Sequence, residues 1–446
     1  MSICPLEYRY GSREMREIFS RKNIFSKMAL VEKALLYGLE KAGIAPRGIS
    51  KHMEKAIREV DPKRIDEIEK KIGHDIMALT IELARLSGEA GSYIHLGATS
   101  YDIVDTTWAL LIRDALNIVK SKLRKLIEIL TKYSEEYEDL VMVGRTHGQH
   151  ALPITLGFKF ANYVYEFSRS YQRLKELERR VIRGKISGAV GTMAAWKDKG
   201  LIVERETLNQ LGLEPHVIST QVAPRDGFAE LICALAILGS QMDRLALEIR
   251  ELMRPEILEM AEGVEKRVGS STMPHKLNPV TCERISALAK ILRGFIITAL
   301  ENIPLWHERD LTNSAAERIL IPHAFLIIDE MLDCTYRVLQ NLRIFPERMK
   351  KNLYLTKGFN MLESVMVEMV KRGIPRHKAH ELLRKVHRDA LRGNKSAIEA
   401  LIENDEIRRL FTKDELEELL NPNKYLGSYK DLIKRTLEYA KSVICA

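Results

Sequence analysis

Cysteine is scarce in this sequence and never clustered. The 446 residues hold five cysteines, at Cys4, Cys233, Cys282, Cys334 and Cys445, with no CxxC pair, so no metal site is expected. In an ordinary cytosol they read as free thiols. Glutamine is also sparse and charge abundant, a usage found in thermophiles, where intracellular disulfides do occur; a Cys4–Cys445 bridge between the chain ends therefore stays open. Long apolar runs are missing as well. The most apolar stretch, FAELICALAILGSQM (228–242), is interrupted by Glu230 and ends in polar residues, so no membrane span is expected. The N-terminal MSICPLEYRYGSREM lacks the charged-then-apolar layout of a secretory signal. A cytoplasmic protein is the expectation.

A charge of one sign is also missing from any single block. The formal net charge is +9, but the basic residues sit along amphipathic runs such as KSKLRKLIEILTKY and RLKELERRVIRGK, interleaved with acids, as on solvated helix faces. With no basic tail, no zinc-type spacing and no base-stacking motif, nucleic acid is not expected as a partner. Small anionic substrates suit the positive balance.

What is present is helical periodicity. Strand-like alternation, internal repeats and low-complexity segments are all scarce, and a 46% hydrophobic content supplies a sizeable core. Short helices are expected at 13–19, 26–42, 51–59, 63–71 and after His74, with breaks at 43–46, 61–62 and 88–91. Much longer ones are expected at 100–138, 153–183, 225–253, 279–302 and 314–342, with Thr99 and Asp102 in capping-box spacing at the first. A 25-residue helix is about 37 Å long, so these rods make a bundle with apolar stripes left for other subunits. The fold class is all-α, in three helical segments: 1–98, a central long-helix bundle over 99–344, and 345–446.

Four polar islands interrupt the helices: HLGATSYDIVDT (95–106), GRTHGQHALPITLG (144–157), GSSTMPHKLNP (269–279) and LWHERDLTNSAAER (305–318). Each has a plain structural reading. Thr99 and Ser100 cap a helix, His147 or His150 is a loop histidine, the WHER run is an ion-pair patch, and the glycine–serine stretch is a linker. Yet all four lie at the ends of long helices, where unpaired N–H groups attract anions.

GSSTMPHKLNP resembles, without a gap, the GSSxMPxKxNP signature of the fumarase/aspartase superfamily. The GRTHGQ, TSYDIVDT, WHERD and SAAER segments resemble the adenylosuccinate lyase family within it, and the similarity runs from Arg9–Tyr10 into the C-terminal region. Argininosuccinate lyases and fumarases share the loop but are less similar around WHERD and ISTQ. The resemblance implies elimination of fumarate from N-succinyl purine nucleotides without metal or cofactor, in a homotetramer whose sites combine segments of three subunits.

The resemblance also assigns roles. Ser270 matches the general base, with Lys276, neighbouring N–H groups and the helix after Pro279 stabilising negative charge. His147 matches the general acid, and Glu283 orients it. His74 and His95 match active-site histidines; Asp75 and Gln221 match substrate contacts. Lys276 and Asn278 grip the succinyl carboxylates. Arg9, Tyr10, Thr99, Ser100, Arg309, Ser314 and Arg318 match positions that hold the nucleotide and its phosphate. Two departures stand out: Leu152, where many relatives carry glutamate, and Gly73, where many carry a polar residue. Neither touches the acid or the base.

Overall fold

A computed structural model of the chain describes residues 3–263, 273 and 275–445. Its elements are overwhelmingly helical. The ones that position the site, in chain order, are α1 (Arg21–Lys41), α2 (Asp75–Ser87), α3 (Ser100–Glu136), the hairpin β1 (Val141–Thr146) and β2 (Gln149–Thr155), α4 (Leu156–Val181), α5 (Gly200–Leu211), α6 (Asp226–Leu252), α7 (Val280–Glu301) and α8 (Thr312–Gln340). Short helices follow, among them α9 (Arg376–Gly393) and α10 (Tyr429–Cys445). Among the described residues no helix is long and apolar enough to cross a membrane. All five cysteines are free.

By internal contacts the chain divides into two units that do not follow chain order. One gathers 1–124, 170–243 and 284–334; the other gathers 125–169, 244–283 and 335–446.

In the first unit, the apolar faces of α1, α2, α3 and α5 share a core that includes Leu35, Leu36, Leu39, Leu79, Leu83, Ile103, Leu110, Val203 and Leu208. Each such side chain, fully buried, contributes about 1.5–3 kcal/mol. The α1–α5 crossing is close because Gly38 has no side chain. A Cβ there would meet Thr207 Oγ1 at 2.4 Å and the Val203 carbonyl at 2.6 Å. Two buried ion clusters tie the start of α3 to the rest of the unit. Asp102 accepts from Lys185 Nζ (2.7 Å) and from the Ser187 and Gly188 N–H groups. Arg225 binds Asp105 (2.9 Å) and, more loosely, Glu317 (3.4 Å).

The second unit packs its C-terminal helices on Val365, Met369, Leu383, Val386, Leu401, Ile407, Phe411 and Leu416. It also holds the β1–β2 hairpin, which corrects the helix expected from 153. Pro153 lies in β2 opposite Val143, and the helix begins only at Leu156. Proline lacks the N–H that a ladder uses, but a bulge between Val143 and Arg145 interrupts pairing there, and proline is tolerated at such places.

Candidate active site

In the first unit the expected site residues fall into local groups. His74 is the N-cap of α2, its Nδ1 accepting from the Met77 N–H at 3.2 Å. The adjacent Gly73 supplies the left-handed turn (φ 71°) that ends the preceding helix. Asp75 forms an ion pair with Arg318 of α8. Asp75, Arg318 and Ser314 line one cavity of about 360 Å³, together with Tyr101, Trp108 and Glu317.

Arg309 forms a second group. Its Nη1 donates to Gln221 Oε1 at 2.7 Å, and its guanidinium lies 4.1 Å from the centre of the Tyr101 ring. Its Nε is buried and has no hydrogen-bond partner among the described residues. Two hydrogen-bonding faces of the guanidinium are thus treated differently, one spent on glutamine and one unspent.

Thr99 and Ser100 form the start of α3. The Thr99 N–H donates to Asp102 Oδ2 at 2.7 Å, which is one half of the expected capping box. The loop before it is clamped at Gly97 (φ 80°), where a Cβ would come within 2.4 Å of Trp196 Nε1. His95 (φ 60°) is fixed from both sides of its own residue by the fully buried Glu32. Glu32 accepts from the His95 N–H at 3.1 Å and lies 2.6 Å from its Nδ1. Burial works against the charged imidazole, but the Glu32 hydrogen bond and the charges of Glu32 and Asp102 outweigh it, and the His95 pKa rises above its ordinary value.

Near the N-terminus, Arg9 is exposed, with its guanidinium 5.7 Å from the centre of the Tyr10 ring; Arg284 stands at the same distance from that ring. The turn is anchored to α8, since the Gly11 N–H donates to Glu330 (3.1 Å) and the Ser12 N–H to Asp329 (2.6 Å).

In the second unit His147 sits at the tip of the β1–β2 hairpin. Thr146 pairs with Gln149, leaving His147 (φ 54°) and Gly148 (φ 74°) as a two-residue turn with both residues left-handed. That is the type I′ pattern whose twist matches the strands. It thrusts an exposed imidazole out on a short, stiff support. The stiffness has a source: Arg145 forms a two-pronged pair with the buried Glu259 (2.8 and 2.7 Å), and Asn352 donates to the same carboxylate at 2.9 Å.

Ser270 lies outside the described residues. Lys276 is exposed, and its N–H donates to the Met273 carbonyl at 3.0 Å; Asn278 is half-buried. Glu283 is exposed in the first turn of α7, and among the described residues no hydrogen bond joins it to His147. The N-terminus of α7, expected to stabilise charge near Ser270, is already occupied. The Thr281 N–H (3.1 Å) and Cys282 N–H (3.0 Å) donate to the buried carboxylate of Glu262, so that helix end has its anion inside the protein.

Sequence reading missed this supporting set: Glu32, Lys185, Arg225, Glu259, Glu262 and Glu317. The one signal was Glu32, a carboxylate on the apolar stripe of ALVEKALL. The others depend on contacts across more than seventy residues or on a helix start that spacing does not reveal.

Known proteins set this geometry in context. A lyase family model matches residues 7–294, and a second model, for the adenylosuccinate lyase C-terminus, matches residues 358–436. Among solved structures, a fumarate lyase from Mesorhizobium sp. BNC1 superposes with a TM-score of 0.88 at 31% identity, covering 96% of this chain and 98% of its own. A 3-carboxy-cis,cis-muconate lactonizing enzyme from Pseudomonas putida gives 0.89 at 29%, covering 98% and 99%. An all-α fold with polar islands at helix ends and this family match define an enzyme of the lyase class, in the fumarase/aspartase superfamily. Adenylosuccinate lyases from Pyrococcus horikoshii and Methanothermobacter thermautotrophicus are 44% and 45% identical to it, over 99% and 98% of this chain and 99% of each relative. The chain belongs to the adenylosuccinate lyase family.

Proposed function

We propose that this enzyme releases fumarate from adenylosuccinate, leaving AMP, and from the succinyl-carboxamide ribotide SAICAR, leaving AICAR, in purine nucleotide biosynthesis. The observation that carries the reading is the end-to-end likeness to proteins named adenylosuccinate lyase.

In the proposed reaction Ser270, as an alkoxide, takes the proton from the succinyl carbon next to a carboxylate. The electron pair spreads into that carboxylate as a doubly charged enediolate, while Lys276 and Asn278 hold the succinyl group. The carbon–nitrogen bond then breaks with its electrons on nitrogen, and His147, oriented by Glu283, protonates the leaving amine. A positioned proton transfer of this kind contributes about 10²–10⁴-fold. No step calls for a metal or cofactor.

Arg9, Tyr10, Thr99, Ser100, Arg309, Ser314 and Arg318 are proposed to hold the nucleotide and its phosphate, with His74, Asp75, His95 and Gln221 as further substrate contacts. Guanidinium forks and hydroxyls suit a phosphate dianion. The cavity shared by Ser314 and Arg318, and the unspent Nε of Arg309, support this assignment. A cytoplasmic homotetramer with sites completed by three subunits, and the three-segment organisation 1–98, 99–344 and 345–446, belong to the same proposal.

The test is fumarate release by the purified protein from adenylosuccinate, SAICAR and argininosuccinate. Turnover of the two purine compounds and not of argininosuccinate is the expected result. Turnover of argininosuccinate alone would move the chain to another branch. Tight, salt-sensitive RNA binding with no turnover of any of them would make it a silent scaffold.

A further inference from the structure

A second cavity, of about 410 Å³, lies wholly within the second unit, and none of the site residues assigned above lines it, although His150 stands on the hairpin that carries His147. Its walls come from β2 (His150), the loop after 353 (Thr356, Lys357, Phe359, Asn360) and the end of α9 (His387) with the residues that follow it. The volume is in the range of small-molecule sites.

The chemistry of the wall is specific. Lys357 and Asn394 both hold the left-handed backbone (φ 50° and 51°), although neither is glycine. Such a conformation costs about 1–2 kcal/mol per residue, and here it brings the two side chains together. Lys357 Nζ donates to the Asn394 carbonyl (2.8 Å) and to its Oδ1 (2.6 Å). An ammonium has three N–H groups, so one remains for a ligand. Two carboxylates stand nearby: Glu403 is held by Lys395, and Glu399, which feels the charge of Lys357, accepts from the Ser396 N–H and hydroxyl. The charged groups that line the cavity itself are the cations Lys357 and Lys395, which suits an anion.

Beside this cation stands a ring surface. Phe359 and His387 face each other with centroids 4.7 Å apart at 51°, and the apolar Leu355 and Leu391 are exposed at the rim. His150 adds a third ring whose buried Nδ1 has no hydrogen-bond partner among the described residues. Burial, and then the nearby Arg145 charge, lower the His150 pKa and so favour the uncharged ring.

We infer that this cavity is a second ligand site, for a small molecule that joins a planar heteroaromatic ring to a phosphate, such as a purine nucleoside monophosphate. Lys357 takes the phosphate, and the Phe359–His387 surface takes the ring. The site is independent of the elimination chemistry, since none of its residues takes part in it.

Leu355, exposed at the rim, provides the reporter. Full-length Leu355→Trp is titrated with AMP, adenosine and inorganic phosphate, with the wild-type protein titrated alongside to subtract the native tryptophans. Circular dichroism checks that each variant is folded. A saturable change with AMP is expected, weakened at least tenfold in Leu355→Trp/Lys357→Gln and at least tenfold for either adenosine or phosphate alone. No saturable change through the millimolar range, or one undiminished by Lys357→Gln, would overturn the site. Phosphate binding as tightly as AMP would overturn the ring half of the assignment. Fumarate release is read separately, so loss of one result leaves the other standing.

Discussion

Single residues carry the chemistry in the proposed reaction, and Ser270 gives it a sharp test; Glu204, outside that chemistry, tests the charges around the start of α3. A serine hydroxyl is a weak acid, so Ser270 acts as a base only as an alkoxide held by its surroundings. Ser270→Ala is expected to lower fumarate release by about 10²–10⁴-fold while AMP still binds, as read by isothermal titration; near-normal turnover would remove Ser270 as the base. Glu204 of α5 tests the electrostatics beside the site. Burial, followed by the charge of the buried Asp102, pushes its carboxyl up to about 7. A carboxyl whose pKa is raised on folding favours the fold below its unfolded pKa and loses that contribution as pH rises through the folded value. Glu204→Gln should therefore raise the melting temperature at pH 8 and leave it nearly unchanged at pH 4.5. A shift of the same size at both pH values would mean that the carboxyl is not the group responsible. His95, whose pKa is raised through Glu32, follows the same sign, its contribution complete below about 6.5 and fading above it.

Elements explain where those residues can stand. His147 depends on the β1–β2 hairpin, and the hairpin depends on Arg145 and Glu259. Removing one partner of a buried ion pair costs about 3–5 kcal/mol because the other charge is left stranded. Arg145→Met should speed amide exchange across 141–155 and lower kcat with KM little changed. Unchanged exchange there, with normal kcat, would show that the pair does not hold the tip. The same hairpin marks the limit of what the residues revealed. The long helices were legible because apolar positions recur at helical spacing over twenty residues or more, and α3 begins at Ser100 as expected. VMVGRTHGQHALPIT was not legible as a hairpin, since its strands are short, bulged and interrupted by Pro153. Of the candidate site, the polar islands were visible in composition. Their supports were not, because Lys185 and Arg225 look like ordinary surface cations until tertiary contacts bury them against Asp102 and Asp105.

For the whole molecule, the single chain leaves large apolar side chains in water. Val217 is 98% exposed, Trp306 77%, Ile297 70% and Ile319 59%. Surfaces of this kind are normally covered by partners, and closed assemblies of identical chains are the common solution. If each site draws on several subunits, an assembly of two different dead variants contains some intact sites. Mixed oligomers of His147→Gln and Ser270→Ala, confirmed by mass spectrometry, should regain part of the fumarate-releasing activity that neither variant has alone. No recovery in confirmed mixtures would place each complete site within one chain.

Glu262 has a consequence for how this family can vary. By accepting the Thr281 and Cys282 N–H groups, it fastens together the two ends of the stretch that carries GSSTMPHKLNP, whatever lies between them. The anchor belongs to the flanks and not to the stretch itself, since both N–H groups and the carboxylate lie outside GSSTMPHKLNP. Residues between the flanks can therefore vary within the family without touching the bonds that join the two ends, whereas a change at position 262 is felt on both sides at once.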